Sequence, residues 1–161
     1  TSFIVFHPGA GKIPNRWPAQ NFALVANILS MEFDAFVLIT SGAFDGDPVQ
    51  DMISTLSVQH EVLLNRPIRF VASILSEADL LVTNDTGIMH VGGAVGSPVL
   101  SLFGPTDPYQ WAPIGPAHRF VHSQDGNIDA ITVDEVLKHG REMLRFSRMI
   151  RSGDRPFLAE R

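Results

Sequence analysis

Between Ala78 and Phe103 the chain carries two apolar runs of strand length, Ala78–Val82 and Val99–Phe103. They flank a segment with helical spacing at Ile88, Val91 and Val95. Parallel strands need a crossover of this kind, so the stretch reads as a strand–helix–strand unit. Asn84-Asp85-Thr86-Gly87 breaks the first run, and Gly96-Ser97-Pro98 stops the helix. Asp85 and Thr86 are both residue types that cap a helix start. The N–H groups at such a start are unpaired and partly positive, which makes it a seat for a phosphate. With the helix beginning at Thr86, His90 lies four residues from Thr86 and three from Gly87, so all three line one edge of the same mouth. Gly92 and Gly93 weaken a helix and are read as points of close packing against the sheet.

The rest of the chain repeats this alternation. Phe3–Phe6 is a continuous apolar run of the kind buried on both faces of a sheet. A Gly-rich loop follows it, and Trp17-Pro18 opens a helix with its core stripe at Phe22, Val25, Ala26 and Leu29. Ala35–Thr40 is a second strand, 49–56 a helix, and His60–Leu64 a weaker strand. Ile68, Val71, Ala72 and Leu75 give a helical stripe that leads back to Ala78. After Phe103 comes a Pro/Gly-rich segment, Gly104–Ala117, and then a last strand at Arg119–His122. Thr132 and Glu135 form a capping box for a final helix with its stripe at Val133, Val136, Leu137, Gly140 and Leu144. The fold class is therefore α/β: a Rossmann-like, doubly wound parallel sheet of five or six strands, with the strand before Asp85 central. Ligands of such sheets sit beyond the C-terminal strand ends, where the strand order switches. The loops His7–Arg16, Ser41–Asp47, Asn84–Gly87 and Gly104–Trp111 are expected there and hold most of the unusual polar residues.

Two nucleotide motifs suggested by His7-Pro8-Gly9-Ala10-Gly11-Lys12 fail. A Walker loop needs Gly where Phe6 stands, and a dinucleotide fingerprint starting at Gly9 needs Gly where Pro14 stands. What remains is a Gly-rich turn with two cations, Lys12 and Arg16, at the end of a strand, which can still hold phosphate. The net charge of −5 is unevenly placed: Arg141–Arg161 carries six arginines and a balance of +3, leaving −8 on the first 140 residues. A body this acidic argues against nucleic acid as a partner. The basic stretch reads first as a solvated helix face, and otherwise as a contact for anionic headgroups or a partner domain. No cysteine is present, which excludes a disulfide framework and thiolate metal sites and fits a reducing compartment. No apolar run approaches the ~20 residues needed to span a bilayer. The chain opens Thr1-Ser2 without Met and enters a strand at once, which reads as a segment of a longer protein. Residues 1–146 are expected to form the domain and 147–161 a basic tail, partly disordered or vector-derived.

The run NDTGIMH, with Asp85, Thr86, Gly87 and His90 matching an Asp-Thr-Gly-x-x-His signature, resembles glycosyltransferase family nine, the bacterial lipopolysaccharide heptosyltransferases. Phe103–Pro108 matches that family's Phe-Gly-Pro-Thr-Asp-Pro signature, and HPGAGKIPNRWP is similar to its first loop. The resemblance spans roughly Phe3 to Leu144. It implies one Rossmann-like domain of a two-domain, GT-B-type transferase, here the C-terminal half that binds the nucleotide-sugar donor. It also implies an inverting, metal-independent reaction without cofactor, with ADP-heptose as donor and lipopolysaccharide core as acceptor. The general base would then lie in an N-terminal domain outside this chain, so the fragment alone is expected to be inactive. A cytoplasmic location follows, with at most peripheral contact at the inner face of the inner membrane.

The same resemblance suggests roles. Thr86, Gly87 and His90 would contact the diphosphate, and Gly9 belongs to the loop beside it. Asp85 would cap the helix or accept from a sugar hydroxyl. Lys12 or Arg16 would stabilise the leaving nucleotide, because Asn15 stands where the family usually has Lys. The family's acidic nucleotide contact after the second strand falls on Phe44 by count, which makes Asp45 its stand-in. Asp45 and Asp47 otherwise read as a turn capping the next helix rather than as a metal pair. Phe103, Pro105 and Trp111 are read as packing and loop-shaping residues. Two alternatives remain open: a non-catalytic nucleotide or sugar-phosphate module, and part of a sugar-nucleotide epimerase or oxidoreductase.

Overall fold

A computed structural model describes residues 1–153. Six strands form one parallel sheet: β1 (Ser2–His7), β2 (Ala35–Ser41), β3 (His60–Leu64), β4 (Leu80–Asn84), β5 (Val99–Phe103) and β6 (His118–His122). Their order is β3-β2-β1-β4-β5-β6. The helices are α1 (Ala19–Phe33), α2 (Gly46–Thr55), α3 (Ile68–Leu75), α4 (Gly87–Ala94), α5 (Pro108–Trp111) and α6 (Val133–Ser152). The expected doubly wound sheet is thus present, with β1 and β4 as its central pair, registered Ile4 to Leu80 and Phe6 to Val82.

Alternating residues of each strand feed two cores. Ile4, Phe6, Val37, Ile39, Leu80, Val82, Leu100 and Leu102 face the layer of α1, α2 and α6. Val5, Leu38, Leu81, Val99 and Phe103 face α3 and α4. Both faces are covered, so the strands carry little polar alternation, as an all-parallel sheet requires. Each Leu, Phe or Val buried this way stabilises the fold by about 1.5–3 kcal/mol.

Gly92 touches the sheet as anticipated: a Cβ there would lie 2.7 Å from Leu81 Cδ2 and 3.1 Å from Val99 Cγ2. Gly93 instead backs onto Pro113 of the loop before β6, where a Cβ would lie 3.0 Å from Pro113 Cβ. Helix α2 starts at Gly46, earlier than the expected 49, because Pro48 sits in the first turn, where its missing N–H is harmless.

The expected boundary at 146 falls inside α6. α6 runs on to Ser152 and stops at Gly153, whose φ of 78° suits glycine. Ser147 is buried and its hydroxyl donates to Asp79 O at 2.9 Å. The remainder of the expected tail, 154–161, lies outside the described residues.

The arginines of α6 are not a uniformly solvated face either. Arg141 grips Glu32 of α1 through two bonds of 2.7 and 2.8 Å. Arg148 donates to Ser2 Oγ and Phe33 O and stacks over the Phe33 ring. Arg151 donates to Glu77 O, and its Nε lies 3.0 Å from Asp79 Oδ1, an ion pair off line for a hydrogen bond. Asp79, buried, also accepts from Phe3 N at 2.7 Å. These contacts gather at the N-terminal ends of β1 and β4. Beside them a groove of about 520 Å³ is lined by Pro98, Pro116, Met143, Phe146 and Ile150.

Replacing Gly92 by Val forces a branched side chain into the α4–sheet contact. We expect Gly92→Val to cost about 1–3 kcal/mol of stability, read as a lowered melting temperature by calorimetry.

Candidate functional site

The order β3-β2-β1-β4-β5-β6 reverses between β1 and β4. The helix after β1 packs on one face of the sheet and the helix after β4 on the other. Their connecting loops therefore diverge and leave a crevice at the C-terminal strand ends. The groove under α6 lies at the opposite ends of the strands, away from any reversal of strand order. The site is placed at the crevice for that reason.

The loop after β1 is held from beneath by Asn84, the last residue of β4 and fully buried. Asn84 Nδ2 donates to Pro8 O at 2.9 Å and Gly9 O at 3.2 Å, while Oδ1 accepts from Trp17 N at 3.0 Å. Trp17 is itself buried, and its Nε1 donates to Ile131 O at 2.9 Å. The sequence marks Asn84 only as the first residue of the break after the apolar run, whereas it ends β4 and clamps the loop. Its only sequence signal is a carboxamide at a strand end facing a Gly-rich loop.

The two cations of the loop differ. Arg16 is half-buried and its Nε donates to Ala10 O at 2.8 Å, so the guanidinium stem belongs to the loop itself. Lys12 is exposed at the start of a single 3-10 turn, Ile13–Asn15. Asn15, at the position where the resemblance led us to look for Lys, is buried. Its Nδ2 lies 3.5 Å from both Asp85 O and Asp85 Oδ2, so it bridges the loop after β1 to the loop after β4.

Asp45 occupies the position before α2 but makes no forward capping bond. Its carboxylate turns back instead: Oδ2 accepts from Gly42 N at 2.7 Å and lies 3.4 Å from His7 Nε2. His7 Nδ1 lies 3.0 Å from Thr40 Oγ1. The contact with His7 and the Gly42 N–H hold the Asp45 carboxyl below its ordinary range, against the opposing effect of burial. Asp47, by contrast, is exposed in the first turn of α2.

At α4, Thr86 is the N-cap residue in extended conformation, but its side chain makes no capping bond. Neither expected cap therefore closes this helix end; the Asp85 carboxylate is met by Asn15. Gly87 and His90 are exposed, and Asp85 and Thr86 half-buried. The first-turn amides of α4 thus have no side-chain cap over them, and His90 is exposed one turn on. Asp107 caps α5 by accepting from Tyr109 N at 2.9 Å. Phe103 is buried as a packing residue, whereas Trp111 is 53% exposed, more open than its expected role implied. Among the described residues no three His, Cys, Asp or Glu side chains gather as a metal-binding group, and no helix is long and apolar enough to cross a membrane.

Two outcomes follow from this geometry. Asn84→Ala strands the Trp17 N–H and the Pro8 and Gly9 carbonyls, and should cost roughly 3 kcal/mol, measured by denaturant unfolding. The lowered Asp45 carboxyl contributes stability that is complete above its ordinary pKa of 3.8 and is lost as pH falls through the lower native value. The stability gap between the unmodified protein and Asp45→Asn should therefore be constant near neutrality and shrink between about pH 5 and pH 2.

Comparison with known proteins agrees with the geometry. The sequence model of "Glycosyltransferase family 9 (heptosyltransferase)" matches residues 1–138. The chain is 28% identical over 136 residues to lipooligosaccharide heptosyltransferase 2 of Haemophilus influenzae, covering 78% of this chain and 38% of that protein. Among solved structures, the Escherichia coli ADP-heptose lipopolysaccharide heptosyltransferase II superposes with a TM-score of 0.82 at 24% identity, over 91% of this chain and 47% of that one. An E. coli heptosyltransferase solved with ADP gives 0.79 at 21% identity, over 88% and 44%. These likenesses establish that the chain shares the Rossmann-like fold of the part of those GT-B-type proteins that it covers. The chain spans under half the length of the relatives it matches. With the family's sequence model covering most of its length, the chain belongs to glycosyltransferase family 9.

Proposed function

We propose that this chain is the donor-binding half of a heptosyltransferase that uses ADP-heptose and acts on lipopolysaccharide core. The observation that carries the reading is the uncapped start of α4, Thr86-Gly87 with His90 one turn on, at the switch in strand order. Unpaired amides and a helix dipole there suit a diphosphate. Family membership and the heptosyltransferase names of its relatives support the sugar; one solved neighbour is named for ADP-heptose and another was solved with ADP.

In this reading an acceptor hydroxyl oxygen attacks the anomeric carbon as the bond from that carbon to the diphosphate oxygen breaks. ADP leaves with the electron pair, and the configuration inverts in a single displacement. The acceptor proton passes to a base supplied by the other domain. Negative charge gathering on the leaving diphosphate is met by the α4 amides, His90 and the cations Lys12 and Arg16, so no divalent ion is needed. Arg16 Nε donates to Ala10 O, which leaves its terminal nitrogens and the exposed Lys12 ammonium as the two candidates for this charge. Gly9 gives the loop close backbone approach, and Asp85 stays with Asn15 or accepts from the sugar. The base and acceptor lie in the other domain, so this half alone binds donor but transfers no sugar. The protein works in the cytoplasm, at most peripherally at the inner membrane. Family membership favours this reading over an epimerase or a non-catalytic module.

Thr86→Val and His90→Ala should each weaken ADP binding by roughly 1–3 kcal/mol in calorimetric titration, with melting temperatures unchanged. Chelator should leave the affinity as it is. Equal affinity in both variants, or binding abolished by chelator and restored by magnesium, contradicts the assignment.

A further inference from the structure

We propose that Asp45 serves the nucleotide end as a positioning residue: paired with His7, it fixes the backbone of the loop after β1 and does not itself touch the ligand. The inference rests on the donor-site reading of that loop. In a Rossmann-like sheet the end of β2 is where a ribose meets an acidic side chain. Here the acidic side chain at that end is closed off. Asp45 is 7% exposed, and its Oδ2 is already shared between Gly42 N–H and the His7 ring. The residue that this turn offers to solvent is its neighbour Phe44, 91% exposed.

The carboxylate lies against the loop itself. A Cβ on Gly9 would fall 2.1 Å from Asp45 Cγ and within 2.5 Å of both carboxylate oxygens, so Asp45 fills the space that the glycine leaves. From the other side Asn84 holds the carbonyls of Pro8 and Gly9, and Arg16 holds that of Ala10. Residues 8–10 are thus gripped between a carboxamide from β4 and a carboxylate from the loop after β2. Only the second grip runs through a titratable pair.

The pair meets through His7 Nε2 and Asp45 Oδ2 at 3.4 Å. An ionised carboxylate only accepts, so the proton facing Asp45 sits on His7 Nε2. In the neutral ring Nδ1 is then an acceptor, and in this proposal the Thr40 hydroxyl donates to it at 3.0 Å in preference to Phe6 O at 3.5 Å. The chain Thr40–His7–Asp45–Gly42 joins the end of β1 to both ends of the turn after β2. Losing it should loosen the loop while the two cores, which lie below it, remain packed.

The test pairs ADP calorimetry with nitrogen NMR of the His7 ring. The unmodified protein should show His7 as the Nε2–H tautomer. Asp45→Asn and His7→Leu should each lose ADP affinity by about ten-fold or more through a misplaced loop. Amide exchange at Gly9–Lys12 should accelerate while β4 stays protected. His7→Gln, which keeps a donor toward Asp45, should restore most of the affinity. Should one variant fail to fold, the tautomer and the other variants still decide. An Nδ1–H tautomer, or Asp45→Asn and His7→Leu binding ADP and exchanging as the unmodified protein does, overturns the proposal. If the unmodified protein binds no ADP, the donor reading fails, and the tautomer and loop exchange alone judge the positioning pair.

Discussion

One buried carboxamide determines the shape of the crevice. Asn84 ends β4, yet all three of its side-chain hydrogen bonds go to the segment after β1, at Pro8, Gly9 and Trp17. Backbone groups buried at a strand end must be paired, and here the loop is too irregular to pair them itself. A neutral amide offers both a donor and an acceptor in one plane, which neither a carboxylate nor a hydroxyl matches without rotating. Because β1 and β4 are neighbours, the same side chain ties together the two loops that diverge to opposite faces. Trp17 then passes the constraint on, through Ile131 O, to the segment that leads into α6.

The two ends of the sheet are built differently. At the N-terminal edge, α6 reaches back across β1 and β4 with Ser147, Arg148 and Arg151, and Asp79 is met from two sides. The exposed Arg141–Glu32 pair adds little by itself, since solvent screens it. At the C-terminal edge the polar residues do not close on one another in this way: Gly87, His90 and Lys12 remain exposed beside an uncapped helix start. The N-terminal ends are thus tied down by α6, while the C-terminal ends present exposed donors beside an uncapped helix start. Open donors of this kind are what a diphosphate would complete.

Much of the fold was legible because its signals are local. Four mainly apolar runs located β1, β2, β4 and β5, and Thr132 with Glu135 forms the capping box that their spacing implied. Asp85, Thr86, Gly87 and His90 stood out because strand, break and helix follow one another within a few residues. What escaped depends on partners distant in sequence. Nothing around Ser147 shows that Asp79 lies above it, so the polar turn there read as a tail although it continues α6. Asp45 read as a cap because Asp before a helix usually is one; His7, 38 positions earlier, competes for its carboxylate only once β1 and β2 are paired. Asn15 and Asn84 were silent for the same reason, since a carboxamide reveals its role only through what it faces.

The central claim is that the β1–β4 crevice, and not the groove under α6, is where this domain meets a nucleoside diphosphate. Amide chemical-shift mapping during an ADP titration tests it most directly. The account predicts that the largest shifts fall on residues 9–16, 42–47 and 84–90, with residues 142–151 unmoved. Shifts centred on Met143, Phe146 and Ile150, or none at the crevice under saturating ADP, would contradict it.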